Sequence, residues 1–312
     1  MIPFSIAGMQ LQLSAERDNV PHMLKRLDTL MHLYPWVQMV LFSELAPFGP
    51  FLSNAQPLPS PAEDMFREAA RRHGLWLIPG SMFERVGDKI YNTASVIDPR
   101  GEVISRYRKM FPFLPYETGV ESGDKFCIFD VPGVARFGVS ICYDMWFQET
   151  TRTLVSMGVE VVLHPTMTTT IDRDVELSIA RASAATNQCF FFDINGCGDG
   201  GNGRSTIIGP YGDVLYAAGD SEEMIPIEID VARVRRSREF GLRGLGQPLK
   251  SFRDRKVSFD LYHPGSRTGA FLSQLGPLVK PVRGTMAGID GRSIGMFTAD
   301  DISRAAPESH TG

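Results

Sequence analysis

The sequence predicts an α/β (α+β) fold of two mixed β-sheets flanked by helices, and three observations carry that prediction. Short apolar runs of strand length alternate with segments of helical periodicity. Several strands come in pairs around turn sequences, a hairpin pattern that a purely parallel sheet lacks. Two hairpins about 110 residues apart also resemble each other, ASVIDPRGEVI from Ala94 and STIIGPYGDVL from Ser205. Each runs apolar residues into Pro-x-Gly, an acid and more apolar residues. This repeat points to two similar halves packed about a pseudo-twofold axis.

The elements follow in order. Phe4 to Leu11 reads as a strand, and Ser14 as the cap of a helix over Glu16 to Leu33, with Val20, Met23, Leu24, Leu27, Leu30 and Met31 on one face. Val37 to Phe42 is a continuous apolar run, as in a strand buried on both faces, and it stops at Ser43-Glu44. Pro61 to His73 is a helix opened by proline at its first turn. Leu75 to Phe83 is a strand. Tyr91 to Ile97 and Glu102 to Tyr107 flank Asp98-Pro99-Arg100-Gly101, which suits a type I turn. A strand over Arg136 to Ile141 ends at Cys142, and a helix over Gln148 to Met157 follows. Then come strand Glu160 to His164, helix Arg173 to Asn187, strand Cys189 to Ile194, a glycine-rich loop over Gly196 to Gly203, and strands Thr206 to Ile208 and Asp213 to Tyr216. Ala232 to Glu239 is a short basic helix, and Gly241 to Tyr262 reads as extended. The residues from His263 to Gly312 form an extended tail that wraps the body or a partner subunit.

Composition excludes several function classes. With 43% hydrophobic residues in 312, the chain can bury a large core. A net charge of −4 with interspersed signs gives no nucleic-acid footprint. No apolar run approaches the roughly 18 residues that cross a bilayer. The four cysteines, Cys127, Cys142, Cys189 and Cys197, are too few and too irregular for a disulfide framework. MIPFSIAGMQLQ lacks a basic n-region and reads as a first strand, so the expected compartment is a reducing cytoplasm.

Three residues stand where predicted core strands stop: Glu44, Lys109 and Cys142. A thiol between a strand and a helix sits where free N–H groups and the helix dipole favour a thiolate. A desolvated glutamate is a base for such a thiol. A lysine ammonium stabilises the oxyanion formed when sulfur attacks a carbonyl. The six histidines show no ligand spacing, so no catalytic metal and no cofactor is expected. Gly196-Cys-Gly-Asp-Gly-Gly201 matches G-x-G-x-x-G, but a hairpin follows it, so no helix N-terminus awaits a pyrophosphate.

The motifs LFSELAPFG around Glu44, YRKMFPFLPYE around Lys109 and GVSICYDMWFQE around Cys142, with the two hairpins, resemble the carbon–nitrogen hydrolases of the nitrilase superfamily over about residues 4 to 235. The resemblance implies a four-layer αββα sandwich, a hydrolase domain over 1–235 and a C-terminal extension over 236–312. It implies Glu44 as general base, Cys142 as the nucleophile that forms a thioester, and Lys109 with the Tyr143 backbone N–H at the oxyanion. Glu117 lies eight residues after Lys109. The aliphatic amidase and formamidase branch has a similar spacing, which implies that Glu117 orients the substrate. Phe48, Phe111, Phe113, Tyr116 and Trp146 lie in the motif segments as candidate walls of a small apolar pocket, and His164 is a further candidate contact.

Ser43 and Gln148 stand where several members of the family carry proline. Cys142-Tyr143-Asp144 replaces the Cys-Trp-Glu of nitrilases proper, which argues against nitriles. Asp144 reads as a turn or capping residue. No arginine within the motifs is an obvious clamp for a carboxylate, with Arg173 and Arg204 outside them as candidates. The expected activity is therefore hydrolysis of a small uncharged or weakly polar carboxamide to acid and ammonia. The rivals are a carbamoyl hydrolase, a nitrilase or an acyl transferase at the same site, and an inactive interaction protein on the same fold. The resemblance further implies a homo-oligomer, dimeric or larger.

Overall fold

The computed structural model describes residues 1–263 and positions 272, 275 and 278. It divides into two units, Met1–Pro112 with Gly119–Arg253, and Phe113–Thr118 with the residues from Asp254 onward. The expected tail lies, apart from those positions, outside the described residues.

In chain order the first unit contains β1 (Pro3–Gln10), β2 (Gln12–Leu13), α1 (Val20–Leu33), β3 (Met39–Phe42), α2 (Pro61–His73), β4 (Trp76–Ile78), β5 (Met82–Val86), β6 (Lys89–Ile97) and β7 (Val103–Arg108). It continues with β8 (Cys127–Val131), β9 (Ala135–Val139), α3 (Gln148–Ser156), β10 (Val161–Thr166), α4 (Arg173–Asn187), β11 (Phe190–Asn195), β12 (Cys197–Gly198), β13 (Thr206–Ile208), β14 (Val214–Ala217), β15 (Glu223–Asp230), α5 (Ala232–Phe240) and α6 (Pro248–Arg253). One sheet has the order β15-β1-β3-β4-β6-β5 with β7 beside β6, and the other has the order β14-β13-β11-β10-β9-β8.

Period-two side chains turn these sheets into layers. Phe4 and Ile6 of β1 face an inner core shared with Phe137, Val139, Leu163, Phe192 and Ile194 of the other sheet. Ala7 and Met9 face the opposite way, into a core with α1 and α2. On the far side, Val162 and Phe191 pack with Leu154 of α3 and with Ala180 and Ala184 of α4. The result is α–β–β–α, as the sequence predicts. Each large apolar side chain in the inner core contributes about 1.5–3 kcal/mol by leaving water. Gly8 of β1 leaves room for Ile194 of the other sheet, since a Cβ there would lie 2.3 Å from Ile194 Cδ1 and displace that side chain.

Helices α2 and α4 take the predicted boundaries, and Gly101 N–H closes the expected turn on the Asp98 carbonyl at 2.9 Å. Other expectations need correction. Helix α1 begins at Val20 because Pro21 fits only a first turn, and Asn19 holds the N-cap position expected of Ser14. Pro79-Gly80 splits the strand expected over Leu75–Phe83 into β4 and β5. The glycine-rich loop contains β12, which pairs with β2. The segment expected to be extended after Gly241 holds α6, opened by Pro248. Among the described residues, no helix is long and apolar enough to cross a membrane.

Candidate active site

Parallel strands end together, and the residues that follow them share an edge. β3 runs parallel to β1 and β4, and β10 runs parallel to β9 and β11. The Glu44 N–H, just past β3, donates to the carbonyl of Thr166 at the end of β10 (3.2 Å), which joins the two sheets at that edge. Leu45 has φ 50, and its N–H donates to Ser81 Oγ at 3.0 Å. Gly80, at φ +76, lies so close that a Cβ would meet the Ser43 carbonyl oxygen at 1.9 Å. The turn that presents Glu44 is therefore packed on main chain and has no freedom to relax.

The Glu44 carboxylate is buried at 2% exposure. Its Oε1 accepts from Lys109 Nζ at 2.9 Å and from Asn92 Nδ2 at 2.8 Å. Asn92, on β6, also fixes Lys109 by accepting its N–H at 2.8 Å. The sequence reading passed over Asn92, although a polar residue in the apolar run of β6 is the signal that marks it.

Cys142 follows β9 by three residues and begins a 3-10 turn over Cys142–Trp146. Its φ is 44, a left-handed conformation that costs a non-glycine residue of order 1–3 kcal/mol and gathers at functional sites. Its thiol lies well above the ordinary range, first because of burial and then because of the Glu44 carboxylate; Lys109 pulls it down and Glu176 pushes it up. This corrects the expected helix-dipole thiolate. Helix α3 begins only at Gln148, and the resting sulfur holds its proton. Deprotonation then requires a base, and Glu44 is the carboxylate that acts most strongly on it.

Asp144 sets the nucleophile turn against the lysine. Its Oδ2 accepts from Ile141 N–H (2.8 Å) and from the Tyr107 hydroxyl (2.7 Å), and its Oδ1 accepts from Phe111 N–H (2.9 Å). Tyr107 and Phe111 bracket Lys109 in sequence. The capping role read from the sequence holds, with this long-range tether added to it. Burial raises the Asp144 carboxyl from 3.8 to about 6, against the pull of its donors. A folded-state pKa above the unfolded one contributes stability at low pH that is lost as pH rises through the folded value. The unfolding free energy of the wild type relative to Asp144→Asn therefore falls between pH about 4 and about 6, by about 3 kcal/mol in all, and is level above that. Denaturant titrations of both proteins across pH 3.5–8 measure it, and a flat difference would contradict the assignment.

The sequence model of the carbon-nitrogen hydrolase family matches residues 6–239. This chain belongs to that family. The omega-amidase NIT2 of Homo sapiens is 28% identical over 258 residues, covering 77% of this chain and 93% of the relative. The chloroplastic omega-amidase of Arabidopsis thaliana is 30% identical over 262 residues, covering 75% and 70%. A carbon-nitrogen hydrolase from Helicobacter pylori G27 has the same fold, with a TM-score of 0.72 at 24% identity, over 84% of this chain and 98% of that one. The chain is a hydrolase acting on carbon–nitrogen bonds.

Beside Cys142 of this carbon-nitrogen hydrolase, aromatic rings gather around the 3-10 turn. Phe111 stacks on Phe147 with centroids 3.7 Å apart, and Tyr143 meets Phe147 edge-on at 5.2 Å and Trp146 at 6.1 Å. Trp146 is 37% exposed. Phe147 was not among the expected pocket residues, because nothing in one sequence separates it from a core aromatic.

Phe48 packs against the helix-side core of the first sheet. His164 is wholly buried on the helix-facing side of β10, with Nδ1 2.7 Å from Ser140 Oγ, its ring against Phe191 and the Cys142 main chain acting on it. Burial lowers its pKa to about 4, which keeps it neutral. Phe113, Tyr116 and Glu117 belong to the second unit. There Phe113 and Tyr116 stack at 5.0 Å, and Glu117 Oε2 accepts from Phe113 N–H at 2.5 Å.

Proposed function

We propose that this hydrolase cleaves a small, uncharged or weakly polar carboxamide to a carboxylic acid and ammonia through a thioester on Cys142. One observation carries the reading. All four cysteines are buried, and Cys142 alone is acted on by a carboxylate and an ammonium together, the Glu44–Lys109 pair 2.9 Å apart.

In the proposed reaction Glu44 takes the thiol proton as sulfur attacks the amide carbonyl. The Lys109 ammonium and the Tyr143 backbone N–H hold the oxyanion. The C–N bond breaks as protonated Glu44 gives its proton to the departing ammonia. Glu44 then takes a proton from water, whose oxygen attacks the thioester. The acid leaves, and the proton returns to sulfur. Glu117 is assigned the orienting role by its spacing from Lys109, and Trp146 and Phe111 are assigned to the apolar side of the acyl group. Self-association through the helix after Cys142 and the C-terminal segment is proposed from the family resemblance alone.

An uncharged acyl group is favoured because the two candidate carboxylate clamps are already committed. Arg173 is buried against Asp193 and Glu176, and Arg204 Nη2 lies 2.6 Å from Asp174. A second reading, the ω-amide of a dicarboxylic acid, is favoured by the names of the omega-amidase relatives. Ammonia release across short aliphatic amides, dicarboxylic monoamides, ureido acids and nitriles separates them. The aliphatic amides are expected to give kcat/KM at least about tenfold above the others. Faster turnover of the monoamides would replace the substrate class and keep the chemistry. Release from none of the amides would contradict the proposal.

A further inference from the structure

Behind the reacting side chains lies a cluster of buried charges that the proposed chemistry does not use. Arg173, the first residue of α4, has no exposed surface. Its Nη2 lies 2.9 Å from Asp193 Oδ2 and donates to the Arg204 carbonyl at 2.9 Å, and its Nη1 lies 3.2 Å from Glu176 Oε2. Each acid also accepts from a threonine hydroxyl. Asp193 Oδ1 takes Thr166 Oγ1 at 2.8 Å, and Glu176 Oε2 takes Thr168 Oγ1 at 2.7 Å.

The main chain of this same segment is occupied at the site. The Thr166 carbonyl accepts the Glu44 N–H at 3.2 Å, and the Met167 main chain acts on the Cys142 thiol, pulling it down against burial. Asn195 holds the far end, accepting from Thr168 N–H and donating to the Thr168 carbonyl, both at 3.0 Å. The two threonines thus direct their hydroxyls into an ionic cluster, while the Thr166 carbonyl and the Met167 main chain between them face Glu44 and Cys142. The charges matter because an ionised acid accepts from a hydroxyl more strongly than a neutral one, and a protonated acid competes as a donor. Burial and Asp193 both push the Glu176 carboxyl up, and Arg173 opposes them.

We propose that Arg173 is a positioning residue for amide hydrolysis, fixing the Thr166–Thr168 main chain through Asp193 and Glu176 and thereby placing the peptide donors and acceptors that hold Glu44 and the Cys142 sulfur. This rests on the thioester reading of Cys142. Removing the guanidinium strands two buried acids side by side, one of which then takes a proton and releases its threonine.

The test uses Thr168→Val, which keeps the shape and loses the hydroxyl, beside Thr168→Ser, which keeps the hydroxyl, and Arg173→Met. Two quantities are read: kcat and KM on the best amide of the panel, and the pH dependence of Cys142 alkylation by iodoacetamide, assigned by its loss in Cys142→Ala. Glu44, Lys109 and Glu176, which act on the sulfur, are present in all three variants, but Arg173→Met also removes the charge that acts on Glu176 and His164, so the alkylation profile is read from the Thr168 pair. Thr168→Val and Arg173→Met are expected to lose about tenfold or more in kcat with KM within about twofold, since small displacements of reacting groups fall on the transition state. The alkylation profile of Thr168→Val is expected to move up by about half a pH unit as the Met167 main chain shifts away from the sulfur. Thr168→Ser stays near the wild type in both. Valine and serine variants that melt alike and share the wild-type kcat and alkylation profile would overturn the proposal and leave the cluster purely structural. If the wild type hydrolyses no amide, the thioester reading fails, and the alkylation profiles alone decide whether Arg173 positions the sulfur.

Discussion

Lys109→Met is expected to melt on the order of 10 °C below the wild type and to lose turnover by at least about a thousandfold. The side chains of Lys109 and Glu44 are 1% and 3% exposed, and their charged atoms are 2.9 Å apart. Removing one partner of such a pair leaves the other charge desolvated and uncompensated, which costs about 3–5 kcal/mol. The Glu44 carboxylate would then take up a proton and lose its capacity as a base. One substitution thus strikes stability, base and oxyanion support together. Differential scanning calorimetry with steady-state kinetics checks both effects. A wild-type melting temperature would mean that the pair is not the buried anchor its geometry implies.

Glu44→Gln is expected to separate sulfur reactivity from turnover. The amide oxygen of the variant still accepts from Asn92 and Lys109, so the turn after β3 stays in place. What disappears is the negative charge that pushes the Cys142 thiol up, while Lys109 continues to pull it down. The thiol pKa falls, the thiolate fraction at neutral pH grows, and alkylation of Cys142 by iodoacetamide quickens. Turnover nonetheless drops by about 10³- to 10⁴-fold, because no group remains to protonate ammonia or to activate water. Alkylation and turnover falling together would contradict the assignment of Glu44 as the base.

These two residues show what a single sequence reveals. Glu44 and Cys142 stand out in the sequence because each follows an apolar run that is buried in the structure, whereas Lys109 follows β7, VISRYR, a half-exposed strand. The layers are legible for the same reason, since period two and period 3.6 state which faces are buried. The half-exposed edge strands escape the pattern. β15 alternates acids with apolar residues around Pro226, and the short β8 carries an exposed Asp130; neither was expected as a strand. Ser14 and Asn19 are both good caps for α1, and Pro21, which fits only a first turn, is the local signal that decides for Asn19. Least legible are partners far apart in sequence. Nothing local ties Asp144 to Tyr107, or Arg173 to Asp193, and the left-handed backbone at Cys142 leaves no mark in its residue type.

The most direct test of the central claim is the mass of Cys142 during reaction. The wild type, quenched in acid during turnover of a good carboxamide and digested, is predicted to carry the acyl group of the substrate on the peptide containing Cys142, with no adduct in Cys142→Ala, which also gives no ammonia. An acyl adduct on any other residue, or ammonia released at the wild-type rate by Cys142→Ala, would contradict it.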